Sequence, residues 1–171
     1  MNDWSKLSPA KARLWVTTYA EYNNGALDGK WFDLGDYVGR DAFLAAAEKY
    51  VAEYDPDPEL MYCDFEGFPS EWYSESSAPP PELWDWMELS DNDKKIKALL
   101  LDAGINMEPA DACIYEGALT DWASDTVYDS YELSDFALRY FDFEAFGKDE
   151  RDNGNMVELE PDVWLTNAAD F

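Results

Sequence analysis

The chain has 171 residues, with 38 Asp and Glu against 12 Lys and Arg, for a net charge of −26. A polyanion of this size is repelled by DNA, RNA and anionic membranes, so direct binding to any of them is close to excluded, and the natural partners are cationic: a basic protein groove or metal ions. With 8 Trp, 11 Tyr and 9 Phe, the chain still has enough apolar surface to fold, which a disordered acidic tail does not.

Arg13 to Tyr19 alternates loosely and is rich in β-branched and aromatic residues, the pattern of a strand. Asn23-Asn24-Gly25 is a turn signal, and Leu27 to Leu34, with Trp31 and Phe32, reads as the returning strand of a β-hairpin. Asp41 is placed to cap a helix running to about Tyr54, with Phe43, Leu44, Ala47, Tyr50, Val51 and Tyr54 on one face. Asp55-Pro56-Asp57-Pro58 stops it. Leu60 to Phe65 predicts a third strand, ending at Gly67 and Pro69.

Residues 74–81, Ser-Glu-Ser-Ser-Ala-Pro-Pro-Pro, have the composition of a linker. Two short helices follow. One spans about Pro81 to Leu89, and the other opens at a capping box, Ser90 with Asp93, and closes at Gly104. Ala112 to Glu116 predicts a short strand. Thr120 to about Tyr131 predicts a helix with Trp122, Thr126, Val127 and Tyr131 inward. Phe136 to Phe141 and Phe143 to Asp152 are further helical segments, and Val157 to Leu159 with Val163 to Thr166 form a closing hairpin. The expected fold is α+β, in three small units: an N-terminal α+β domain (1–73), a helical middle domain (74–107) and a C-terminal α+β domain (108–171).

Several chemistries are missing. Histidine is absent, which removes the usual general base and the commonest zinc ligand. Cys63 and Cys113 have no His partner and no CxxC spacing, so they read as small buried hydrophobes in a protein of the reducing cytoplasm. Residues 1–20 hold no apolar run of signal-peptide type, and no span is long enough to cross a membrane. Trp15, Trp31, Trp84 and Trp122 fall on apolar faces and are expected in the core. Paired carboxylates among aromatics are also what a glycoside hydrolase uses, but acids and aromatics abound here and the match carries little information. Asp149 to Glu160 imitates a calcium loop, with Asp149, Asn153, Gly154 and Glu160 in register, yet Arg151 stands where an oxygen ligand belongs. A charged turn after a helix explains it, and no metal or other cofactor is expected.

The strongest signal is geometric. Asp121, Asp125 and Asp129 recur at i, i+4 and i+8, and Glu132 extends the row if the helix continues. Glu82, Asp85 and Glu88 make a second row at i, i+3 and i+6. Like charges at i,i+4 cost roughly 0.2–0.5 kcal/mol per pair, and no Lys relieves them. Ordinary solvated helix faces mix signs. Duplex DNA carries one charge per roughly 1.7 Å of axis, so 26 net charges match ~44 Å of duplex and 38 carboxylates ~65 Å. A compact globule of this length has a radius of gyration of only about 16 Å, so a DNA-like charge density is within reach, most easily with the units strung out. The two rows are therefore expected to imitate phosphates before a groove built from Lys and Arg.

Three blocks resemble a known family. Tyr22-Asn23-Asn24-Gly25-Ala26-Leu27-Asp28-Gly29-Lys30-Trp31-Phe32-Asp33-Leu34 resembles the N-terminal hairpin signature of the ArdA antirestriction proteins. Asp57-Pro58-Glu59-Leu60-Met61 with Asp64-Phe65-Glu66-Gly67-Phe68-Pro69 resembles the next block, and Tyr140-Phe141-Asp142-Phe143-Glu144-Ala145-Phe146-Gly147-Lys148-Asp149 the end of the antirestriction motif and the helix after it. The resemblance implies an elongated, non-catalytic DNA mimic from a mobile element. It implies three domains and a homodimer joined through the C-terminal domain, with Tyr140, Phe141 and Asp142 in the dimer region. It implies that the partner is a type I restriction-modification enzyme, blocked at the DNA-binding groove of its methyltransferase core. The alternatives from the residues alone are a mimic aimed at another DNA-binding protein, such as a nucleoid or repair protein, and a carboxylate-dependent hydrolase.

Overall fold

The computed structural model describes residues 11–26 and 28–170. It is an α+β fold with two small antiparallel sheets, and the chain divides into two compact units, residues 1–101 and 102–171.

The first unit is built around β1 (Arg13–Thr18), the central strand of the order β2-β1-β3, with β2 at Lys30–Asp33 and β3 at Leu60–Glu66. The connection from β1 to β2 is not a tight turn. A one-turn helix, α1 (Tyr19–Asn23), follows β1 directly, and the Thr18 hydroxyl accepts the Glu21 N–H at its start. Asn24 and Gly25, with φ of +74° at the glycine, then reverse the chain. Leu27, the first residue of the expected second strand, lies outside the described residues. Gly29 lets this connection return against β1: a Cβ there would stand 2.7 Å from both the Val16 carbonyl oxygen and the Trp15 indole nitrogen, closer than any side chain tolerates.

Helix α2 (Arg40–Val51) starts one residue before Asp41, with Gly39 at its N-cap, and lays Phe43, Ala47 and Val51 on the sheet. Val51 is buried, and Phe43 and Ala47, with Leu14, Val16, Phe32, Leu34 and Tyr62, belong to one buried core. Phe43 lies at its centre, edge-on to Phe32 at 5.8 Å and tilted against Tyr62 and Trp84. Residues after the Pro-rich stretch join the same core: α3 (Glu82–Met87) contributes Leu83 and Trp86. The Trp86 indole donates to the Lys94 carbonyl at 3.0 Å, tying α3 to α4 (Asp91–Asp102). Ser90 opens α4 as the sequence indicates, its hydroxyl accepting the Asp93 N–H and donating to the Asp93 carboxylate.

The second unit sets a three-stranded sheet beside a helical pair. Its order is β4-β6-β5, with β4 at Ile114–Glu116, β5 at Val157–Glu160 and β6 at Val163–Leu165. The predicted closing hairpin is present as β5 and β6, with β6 in the centre and fully buried. Helix α5 (Leu119–Ser130) packs on α7 (Phe143–Asp152), and a single turn, α6 (Asp135–Leu138), lies between them in sequence. α6 is shorter than the expected Phe136–Phe141 helix.

The tryptophan expectation needs correction. Among the described residues, Trp86 and Trp164 are the buried indoles, whereas Trp15, Trp31, Trp84 and Trp122 are only half-buried. Trp84 rests against the core and donates to the Leu34 carbonyl; Trp15 and Trp31 lie on the sheet face away from the core. Strand alternation explains the pair: Leu14, Val16 and Phe32 take the inward positions, so Trp15 and Trp31 point outward. The cysteine expectation fails as well, for Cys63 is half-buried and Cys113 exposed.

Burial, partly offset by Arg40, pushes the Tyr62 phenol up to about 12 from its ordinary value of 10.0. A raised phenol pKa means that the folded state favours the neutral ring. This contribution is complete below pH 10 and is lost as pH rises through about 12. We expect the first unit to lose stability as pH is raised across this window, and Tyr62→Phe to move the alkaline midpoint of the circular-dichroism transition upward. An unchanged midpoint would contradict the assignment.

Candidate partner-binding surface

Helix α5 carries three of the sequence-predicted acids, and its phase fixes their direction. Of the residues expected inward, Val127 is buried and Trp122 and Thr126 are half-buried, but Tyr131, beyond the last turn, is exposed; Ala123 is buried as well, and Asp121, Asp125 and Asp129 are exposed. Successive members of the row climb about 6 Å, four residues at 1.5 Å each. The row has three members on the helix. α5 ends at Ser130 and Tyr131 leaves it with extended dihedrals, so Glu132 lies exposed in the following segment rather than on the helical face. The Tyr115 phenol of β4 faces this row. Burial, then the charges of Asp125 and Asp121, raise its pKa.

Aromatic ring pairs join α5 to α7. Trp122 stacks on Phe146 of α7 with ring planes 7° apart at 6.1 Å, and Tyr128 stacks on Phe143 at 6.0 Å. Gly147 allows the helices to meet, since a Cβ there would stand 2.9 Å from Leu119 Cγ and 3.2 Å from its carbonyl oxygen. The first turn of α7 is capped by Asp142, whose carboxylate accepts the Ala145 N–H at 2.9 Å. Of the residues assigned by resemblance to the dimer region, Asp142 therefore has this capping contact. Phe141 is half-buried against Phe143 and Phe146, and Tyr140 is 76% exposed. Phe136, which meets Tyr140 ring to ring at 5.2 Å, is 72% exposed.

In the first unit, Glu82, Asp85 and Glu88 are all exposed along α3 and its C-cap, opposite the buried Leu83 and Trp86. Neither this row nor α5 contains a Lys or Arg. Several cations are instead spent on the protein itself. Arg13 sits 4.5 Å over the Trp31 ring and pairs with Glu66 at 2.8 Å. The Lys30 ammonium lies 4.5 Å from both the Phe32 and Tyr50 rings. Lys97 is buried, and Arg40 donates to the Pro79 carbonyl. This consumption of cations is the feature that sequence reasoning missed; its only trace is that Arg13 and Lys30 stand in strands beside aromatics.

Among the described residues, no three acidic or thiol side chains converge in a metal cage. Asp149 to Asp152, the start of the calcium-like stretch, are helical within α7. Asn155 donates to Glu150, and Arg151 pairs with Asp152. No helix among the described residues is long and apolar enough to cross a membrane.

These features define an acidic α+β protein whose helical carboxylates face solvent. The family model for the antirestriction protein ArdA matches residues 14–163. The chain belongs to the ArdA family of antirestriction proteins. Comparison with curated proteins gave no match.

Gly147→Ala separates two opposing terms. Replacing a helical glycine gains roughly 0.5–1 kcal/mol, whereas overpacking a fixed contact costs typically 1–3 kcal/mol. We expect the clash with Leu119 to win, by up to about 2 kcal/mol. Thermal unfolding reads this out, and a higher melting temperature would show that α7 can move away from α5 freely.

Proposed function

We propose that this antirestriction protein acts as a DNA mimic. It occupies the DNA-binding groove of a type I restriction-modification enzyme, at the methyltransferase core, and competes with duplex DNA. The observation that carries the reading is the separation of charge. Asp121, Asp125 and Asp129 on α5, and Glu82, Asp85 and Glu88 at α3, face solvent with no cation in either row, while Arg13, Lys30 and Lys97 are held in the first unit by rings or burial. The protein works in the cytoplasm and performs no catalysis. Its effect is spread over many carboxylates.

Competition gives the test. A complex with the methyltransferase core should be displaced by the recognition duplex. It should also weaken as salt is added, because exposed charges are screened within about 10 Å at 0.1 M ionic strength. Exposed ion pairs are worth ~0.2–1 kcal/mol each. Asp125→Asn should therefore change affinity less than about tenfold, the equivalent of 1.4 kcal/mol. Neutralising Asp121, Asp125, Asp129 and Glu132 together should cost far more. Simultaneous, independent binding of protein and duplex would overturn the reading, and so would one substitution that abolishes inhibition in a folded protein.

The same proposal makes the protein a homodimer through its second unit. Tyr128, Tyr131, Phe136 and Tyr140 are each more than half exposed there. Burial of apolar area returns about 25 cal/mol per Å², whereas carboxylates kept at a rim repel by only a fraction of a kcal/mol per pair. Tyr140→Asp, which disturbs no buried contact, should shift the molecule toward monomer in light scattering. A fully dimeric variant would place the interface elsewhere.

A further inference from the structure

The outward face of the first sheet carries two indoles among carboxylates from all three strands. Along β1, Arg13 and Trp15 point away from the core; β2 places Asp33 and Trp31 opposite them, and β3 places Glu66 and Asp64. Helix α2 packs on the other face with Phe43, Ala47 and Val51. One indole is already covered: the guanidinium of Arg13 lies over the Trp31 ring, and its Nε and Nη2 both donate to Glu66 Oε2 on the opposite edge strand, at 2.9 and 2.8 Å. The other indole, Trp15, is directly paired with Asp64 across the strands. Trp15 stands edge to face with Trp31 at 5.8 Å, so the two indoles form one aromatic surface. Asp64 is exposed; its Oδ1 accepts the Phe65 N–H at 2.8 Å, and no cation among the described residues pairs with it.

We propose that Trp15 and Asp64 form a docking surface for an arginine side chain of a basic protein partner. This deepens the mimic reading by naming a second contact on the same kind of partner. Two observations specify the occupant. Arg13 shows that a guanidinium on this face can cover an indole while donating to a carboxylate of another strand. Charge complementarity supplies the other: Asp33, Asp64 and Glu66 surround the indoles, and Arg13 is the only cation at these six paired positions. Arginine is favoured over lysine because a planar guanidinium stacks on an indole while still donating to a carboxylate, whereas an ammonium keeps its water and acts as a point charge.

The test uses the full chain, labelled with nitrogen-15, and two blocked peptides of equal charge, tetra-arginine and tetra-lysine. The indole N–H signal of Trp15 is assigned by its loss in Trp15→Phe. We expect tetra-arginine to move that signal and to bind there roughly two- to fivefold more tightly than tetra-lysine, the range expected of an exposed cation–π contact. Asp64→Asn keeps the acceptor for the Phe65 N–H while removing the charge. It should weaken the Trp15 response to tetra-arginine, and Glu53→Gln, at an exposed acid after α2 outside both carboxylate rows, should not. Equal responses to the two peptides, an undisturbed Trp15 signal, or an Asp64→Asn response like that of the parent would overturn the proposal. None of those outcomes bears on competition with duplex DNA, which is measured separately at the methyltransferase core; loss of that competition with the arginine preference intact would overturn the mimic reading alone.

Discussion

Repulsion among 38 carboxylates opposes every compact arrangement of this chain, and the aromatic residues supply much of what outweighs it. A net charge of −26 on 171 residues leaves few attractive ion pairs to draw upon. Ring contacts take their place. Phe43 meets Phe32, Tyr37, Tyr62 and Trp84 in the first unit, and Phe146 meets Trp122, Tyr131 and Phe141 in the second. Such pairs add ~0.5–1.5 kcal/mol each beyond their buried area. Surface ion pairs contribute less, so folding does not require that the acids be neutralised.

The placement of the cations follows from this constraint. A lysine beside a carboxylate cancels one negative charge at the surface, whereas a lysine over a ring leaves the carboxylates as they were. Lys30 against Phe32 and Tyr50 stabilises the first unit in the second way. On α7 the usual pairing holds, with Lys148 on Glu144 and Arg151 on Asp152. α5 and α3 have neither arrangement and keep their full charge.

Much of this organisation was legible in the sequence. The helical spacing of Phe43, Ala47 and Val51 located α2, the phase of Trp122 and Val127 turned the aspartates of α5 outward, and Ser90 with Asp93 marked the start of α4. The failures share a cause: they concern which of two faces is covered. Trp15 and Trp31 look like core residues because tryptophan is usually buried, but only the pairing of three strands reveals that the helix packs against Leu14 and Phe32 instead. The inclusion of Trp86 in the first core was hidden for a similar reason, since a Pro-rich stretch reads as a boundary whether or not the chain folds back after it. Glu132 was assigned to the helical row because nothing in composition marks Ser130 as its last residue.

The two sheets differ in when their central strands are made. In the first, β1 is synthesised before both of its neighbours and can serve as a template as β2 and then β3 emerge. In the second, β4 and β5 each pair only with β6, which is synthesised after both. No hydrogen-bonded ladder of that sheet exists until Val163–Leu165 has left the ribosome, and Ile114 must wait for Leu165, 51 positions later. Closing so long a loop is entropically slow. During translation the first unit can therefore be complete while the second is still an open, highly charged segment. Its self-repulsion then guards an unpaired β4 edge against joining other chains.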